Sequence, residues 1–264
     1  MQSRPLSRSE DPIVLKEIMI KIQHNWIQIP TASIVIDAYE AYPLQTETPS
    51  PAIVVLQEIF GVNSHIRSVV DRLAEAGYRA IAPALYQRTA PGFEVGYSED
   101  EVALGRQHKD LTTAGQLLSD LQGTIAYLKT CPGVEVHRGV GCIGFCFGGH
   151  VAYLAATLPD IKATASFYGA GIPLFTPGGG EPTLSRTPEI QGTLYGFYGR
   201  EDPLIPLEHV DQIEQALQAA QVSHRIFRYP DAGHGFCCDQ RSDYRPAVCA
   251  QAWEAVMTLF QTLS

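Results

Sequence analysis

Val140-Gly-Cys-Ile-Gly-Phe-Cys146-Phe-Gly-Gly149 runs from a short apolar segment into a glycine-rich turn and then into the helical pattern of Gly148 to Leu158. A continuous apolar run of this length is what a strand covered on both faces requires. Cys146 therefore stands where a buried strand gives way to a helix, the setting of a nucleophile elbow. Gly144, Gly148 and Gly149 fit that setting, because a sharp turn brings strand and helix too close for side chains. The helix start beyond Cys146 offers partial positive charge, which favours thiolate over thiol and an anionic oxygen nearby. The competing reading is a buried structural cysteine in a glycine-rich turn.

Similar buried runs recur on either side of this stretch, at Ala52 to Leu56, Arg79 to Pro83, Ala163 to Tyr168, Thr193 to Tyr198 and His224 to Tyr229. Ser33 to Tyr39 alternates polar and apolar residues and reads as an edge strand, with Ala52 to Leu56 central. Helical spacing separates the runs at Ser64 to Ala76, Asp110 to Lys129, Pro206 to Ala220 and Pro246 to Leu263. This alternation of strand and helix gives an α/β fold, a doubly wound, mostly parallel sheet of about eight strands with functional groups at the strands' carboxyl ends. Residues 173–188, rich in glycine and proline, read as a long surface loop. Residues 1–25 read as a polar N-terminal extension, and residues 26–264 as one domain.

Composition narrows the function. At 264 residues, 45% hydrophobic and 18% charged, the chain resembles an ordinary globular protein with a substantial core. A net charge of −9 leaves no basic face for nucleic acid or an anionic membrane. The N-terminal stretch lacks an apolar segment of signal-peptide or membrane length, so a cytoplasmic protein is expected, a monomer or small homo-oligomer. The six cysteines, Cys131, Cys142, Cys146, Cys237, Cys238 and Cys249, show no paired C-x-x-C spacing. They are expected to be reduced thiols, with neither metal nor cofactor.

A thiolate nucleophile needs a base. His234, in Tyr229-Pro-Asp-Ala-Gly-His234, follows the last predicted strand in a turn-rich loop, whereas the other seven histidines suit solvated or core roles. Asp202, in Gly199-Arg-Glu-Asp202-Pro203, follows the preceding strand and could orient an imidazole and stabilise its charged form. The order nucleophile, acid, histidine is that of the α/β-hydrolase fold. Glu58, a carboxylate at the mouth of an apolar strand, needs a partner or a proton.

Together with Gln57-Glu58-Ile-Phe-Gly-Val-Asn63, Pro83-Ala-Leu-Tyr-Gln-Arg88 and Ala232-Gly-His234, these motifs resemble the dienelactone hydrolase family from about Val35 to the C-terminus. The resemblance implies carboxymethylenebutenolidase-like cleavage of a small, carboxylated lactone through a Cys146-His234-Asp202 triad and an acyl-enzyme. It also implies that Glu58 helps convert thiol to thiolate when substrate binds, and that the backbone N–H groups of Ile59 and Phe147 receive the oxyanion. Arg88 matches a family arginine that grips the substrate carboxylate, and Tyr168 is a further substrate-contact candidate. After His234 the sequence departs from the family: serine and a second arginine, four residues on, are replaced by Gly235 and Cys238. Arg241 is the candidate to supply the missing charge. Three alternatives stay open: a carboxylesterase for another small ester, a non-catalytic ligand-binding protein, and a redox-responsive thiol protein in which Cys237 or Cys238 resolves an oxidised Cys146.

Overall fold

Nine strands share one sheet in the computed structural model, which describes residues 20–45 and 48–264. They are β1 (Ile22–Pro30), β2 (Val35–Pro43), β3 (Ser50–Leu56), β4 (Arg79–Pro83), β5 (Val134–Glu135), β6 (Val140–Phe145), β7 (Ile161–Phe167), β8 (Thr193–Gly199) and β9 (His224–Tyr229). Eight follow the order β1-β2-β4-β3-β6-β7-β8-β9, and the two-residue β5 adds to β3. Pairing is antiparallel at β1–β2 and β2–β4 and parallel elsewhere. The helices are α1 (Ser64–Glu75), α2 (Glu99–Asp110), α3 (Ala114–Thr130), α4 (Phe147–Ala155), α5 (Leu207–Ala219) and α6 (Pro246–Phe260). This is the expected mostly parallel α/β-hydrolase architecture.

The apolar runs of β3, β4 and β6 are continuous because these strands feed two cores, whereas β8 and β9 contribute to only one of them. In β3, Ile53 and Val55 join the core containing α1, α5 and α6, whereas Ala52, Val54 and Leu56 face the core containing α3. Phe145, Phe167, Phe197 and Phe227 lie in register on four successive strands. Their rings stack with centroid separations of 4.9, 4.3 and 4.8 Å. Such a cross-strand aromatic ladder fixes register, since a slip of one residue would turn every ring to the opposite face.

Three expectations are corrected. Ile22–Asn25, assigned to the polar extension, lies within β1, while residues 1–19 lie outside the described residues. β1 also takes the sheet edge from β2, which is paired on both sides. Most of β1 is exposed or half-buried, so it carries no apolar run to announce it. α2 is a helix that periodicity missed, because among its residues only Gly105 is buried and no apolar stripe forms. What makes it a helix is local: a capping box between Ser98 and Glu101, three acidic residues in its first turn and Lys109 in its last.

Candidate active site

The turn after β6 has the backbone strain expected of an elbow. Cys146 has φ 56° and ψ −117°, a conformation that L-residues rarely adopt and that surrounding structure must enforce. Its N–H donates to the Phe167 carbonyl at 3.1 Å. A Cβ on Gly144 would collide with the Gly148 carbonyl, and one on Gly148 with the Leu56 carbonyl. Strand and helix can meet there only without side chains.

The loop after β9 brings His234 to Asp202, with Nδ1 2.8 Å from Asp202 Oδ2 and both side chains almost wholly buried. The second carboxylate oxygen, Oδ1, accepts the Leu204 N–H at 2.8 Å, so Asp202 is held at both ends. The other imidazole nitrogen, Nε2, is buried and has no hydrogen-bond partner among the described residues. His234 and Cys146 line the same cavity. Burial alone would push the His234 pKa down, but the combined pull of Cys146 and Asp202 outweighs it and raises it to about 10.

That cavity, about 310 Å³, is at the small end of ligand pockets. Ile59, Phe60, Val102, Phe147, Leu174, Phe175 and Leu204 give it apolar walls, while Arg106, Lys109 and Arg241 give it three cations, and among the described residues no carboxylate lines it. Arg106 and Lys109 come from α2 and Leu174 and Phe175 from the long glycine- and proline-rich loop, so sequence reading missed one wall. The signals available for α2 were its capping box and the charges at its two ends. Gly105 packs α2 onto the Ile59 turn, where a Cβ would stand 2.5 Å from the Ile59 carbonyl oxygen. The N–H groups of Ile59 and Phe147 take no part in the loop hydrogen bonding of the described residues.

Glu58, at the end of β3, is fully buried, with Oε1 3.2 Å from Arg241 Nη1 and Oε2 accepting from the Tyr97 hydroxyl at 3.4 Å. Arg241 thus reaches the cavity from further along the loop. A Cβ on Gly235, which has φ +90°, would stand 2.8 Å from the centre of the Arg241 guanidinium. Glycine at 235 therefore leaves room for the Arg241 guanidinium.

Arg88 does not reach the cavity. Its guanidinium forks onto Asp120, a buried carboxylate of α3, and also donates to Ser33 Oγ at 2.7 Å. The expected grip on substrate is corrected for a simple reason: Asp120 would otherwise be a buried, uncompensated charge. Arg88→Ala should destabilise the fold by about 3–5 kcal/mol. In the fraction that remains folded it should change kcat/KM for carboxylated and neutral substrates alike, as paired thermal-melt and kinetic assays would reveal.

Tyr168 is also displaced from its expected role, being fully buried with its ring edge-on to His234 at 5.2 Å. It packs behind the imidazole instead of lining the cavity. The cysteines are not all reduced: Cys237 and Cys249 form a disulfide, Cα–Cα 4.9 Å, which ties the His234 loop to α6. Cys237 is thus engaged, and Cys238 Sγ is buried 3.2 Å from the Tyr97 hydroxyl.

The family model described as "Dienelactone hydrolase family" matches residues 36–264. The chain belongs to the dienelactone hydrolase family. Among its relatives, a Synechocystis protein named "Putative carboxymethylenebutenolidase" is 54% identical over 243 residues, spanning 92% of this chain and 98% of that protein. The carboxymethylenebutenolidase of Pseudomonas putida is 31% identical, spanning 79% of this chain and 84% of its own. A Klebsiella pneumoniae crystal structure titled as a putative dienelactone hydrolase superposes with a TM-score of 0.83 at 30% identity, covering 91% of this chain and 99% of that one. This dienelactone hydrolase family member is a hydrolase of the lactone- and ester-cleaving kind. Among the described residues no helix is long and apolar enough to cross a membrane.

Proposed function

We propose that this hydrolase opens a small lactone, or cleaves a small ester, whose acyl part carries a carboxylate, with Cys146 as nucleophile. The observation that carries this reading is a cavity holding Cys146 and His234 among three cations, with no carboxylate among its described lining residues. An anionic substrate finds complementary charge there, and its apolar body finds apolar walls.

The Cys146 thiolate adds to the acyl carbon, and the developing oxyanion is received by the N–H groups of Ile59 and Phe147. Collapse of the tetrahedral species expels the ring or ester oxygen, to which the His234 imidazolium donates its proton through Nε2. Neutral His234 then takes a proton from water, the hydroxide adds to the thioester, and Cys146 leaves as thiolate. Asp202 holds Nδ1 throughout. Glu58 is a proton acceptor kept in check by Arg241. When a substrate carboxylate takes the Arg241 guanidinium, Glu58 loses its counter-ion and becomes a stronger base for the thiol.

The test compares a carboxylated lactone with its methyl ester. Arg241→Gln should lower kcat/KM for the carboxylated substrate by about tenfold to a hundredfold, the equivalent of one charged hydrogen-bond pair. The methyl ester should fall by less than about threefold. Equal losses on both substrates would overturn the carboxylate assignment.

A further inference from the structure

Beside the hydrolytic cavity, the end of β3, the first turn of α1 and the loop after His234 bring together three metal-ligating side chains. Donor atoms of Glu58, His65 and Cys238 all lie within 4.8 Å of one another, and all three residues are buried. The proposed hydrolysis gives His65 and Cys238 no task. More tellingly, His65 Nε2 is a buried nitrogen with no hydrogen-bond partner among the described residues. An orphaned polar atom of this kind is costly to maintain and points to something it would bind. Phe145 packs at the edge of the His65 ring, centroids 5.6 Å apart, and limits its freedom to turn toward water.

We infer that Glu58, His65 and Cys238 form a site for a zinc-like divalent cation, distinct from the nucleophile and its histidine. One sulfur, one imidazole nitrogen and one carboxylate oxygen suit zinc or a comparable borderline-soft ion, not magnesium or calcium, which take oxygen ligands. Tetrahedral coordination at zinc bond lengths separates donors by about 3.3–3.7 Å, so the three side chains draw in by about 1 Å. On binding, Cys238 releases its proton to solvent and forms the sulfur–metal bond. Glu58 and His65 each contribute a lone pair in place of a water of the hydrated ion, and one retained water fills the fourth position. The ion replaces one thiol proton, so the cluster gains one positive charge, and the partly exposed Arg241 swings from Glu58 into the cavity. The spacing 58, 65, 238 has no resemblance to a local zinc signature, which is why sequence motifs do not reveal it.

The consequence for hydrolysis rests on the proposed roles of Glu58 and Arg241, whereas binding itself does not. Binding is therefore tested on the full-length Cys146→Ala chain, where a metal held by the nucleophile has lost its sulfur. Titration with Co²⁺ alone should give a thiolate-to-cobalt charge-transfer band saturating at one equivalent, discharged by Zn²⁺. In the same background Cys238→Ser should abolish the band, and His65→Gln should weaken binding by tenfold or more, with circular dichroism confirming the fold. Three results would each overturn the site: no band with Cys146→Ala, a band that survives Cys238→Ser, or an affinity unmoved by His65→Gln. With the native chain, Zn²⁺ should also inhibit hydrolysis reversibly, and His65→Gln should relieve that inhibition. If cobalt binds as described but hydrolysis is unaffected, the site stands and the proposed role of Glu58 fails.

Discussion

Cys146→Ala should reduce hydrolysis of a small lactone by at least about three orders of magnitude, the scale on which removal of a covalent nucleophile acts in other triads. Three orders correspond to about 4 kcal/mol of transition-state stabilisation. The fold should be little affected, since the Cys146 N–H to Phe167 bond is a backbone interaction that alanine retains. Alanine must still adopt φ 56°, but that strain is already present with cysteine. The decisive companion is mass spectrometry of the native protein rapidly quenched with a slow aryl ester. It should show an acyl adduct on Cys146, and the alanine variant should show none. An active Cys146→Ala preparation, or an adduct on another residue, would end the assignment of this cysteine as nucleophile.

The elbow, Asp202 and His234 were legible in the sequence because each follows a strand of the parallel part of the sheet, at the carboxyl end where functional groups gather. Gly144, Gly148 and Gly149 were informative for a steric reason, seen in the collisions that any Cβ would meet. Arg88 illustrates the opposite situation. Its motif matched, yet the sequence carried no sign that Asp120, thirty-two positions away, would be buried beneath it and take the guanidinium. Long-range ion pairs depend on which side chains the sheet brings together, and no local pattern encodes that. α2 stayed hidden because a helix that buries only a glycine has no apolar period. The disulfide was not legible, because a chain of this length has no need of staples and nothing in the spacing of Cys237 and Cys249 distinguishes that pair from the other cysteines.

Arg241 occupies an intermediate position. Spacing offered it as a candidate to replace the arginine absent at Cys238, and Gly235 leaves the space into which its guanidinium fits. The phenyl ring of Phe60 and the phenol ring of Tyr97 lie 6.0 Å from that guanidinium, at the outer limit of cation–π contact. The Arg241 guanidinium thus stands at the cavity wall beside Glu58.

Asp202→Asn should lower kcat by roughly three to four orders of magnitude while leaving the melting temperature nearly unchanged, because the amide is close to isosteric with the carboxylate. The structure gives a specific reason for so large an effect. Oδ1 accepts the Leu204 N–H and Oδ2 accepts from His234 Nδ1, so both ends of the native carboxylate act as acceptors. An asparagine can satisfy only one of them. If its oxygen keeps the Leu204 bond, its NH₂ faces the imidazole and donates to Nδ1, which forces the ring proton onto Nε2. A protonated Nε2 in a neutral ring cannot accept a proton from the water that attacks the thioester. If the amide is reversed, the NH₂ confronts the Leu204 N–H, donor against donor, and the loop carrying Asp202 is pushed apart. Loss of the carboxylate also removes one of the influences that raise His234, so its pKa should move down from the native value. Thiolate absorbance followed against pH, together with histidine NMR, would report that change separately from turnover. A drop in kcat of less than about tenfold, with His234 titrating as in the native protein, would mean that another acid orients the imidazole.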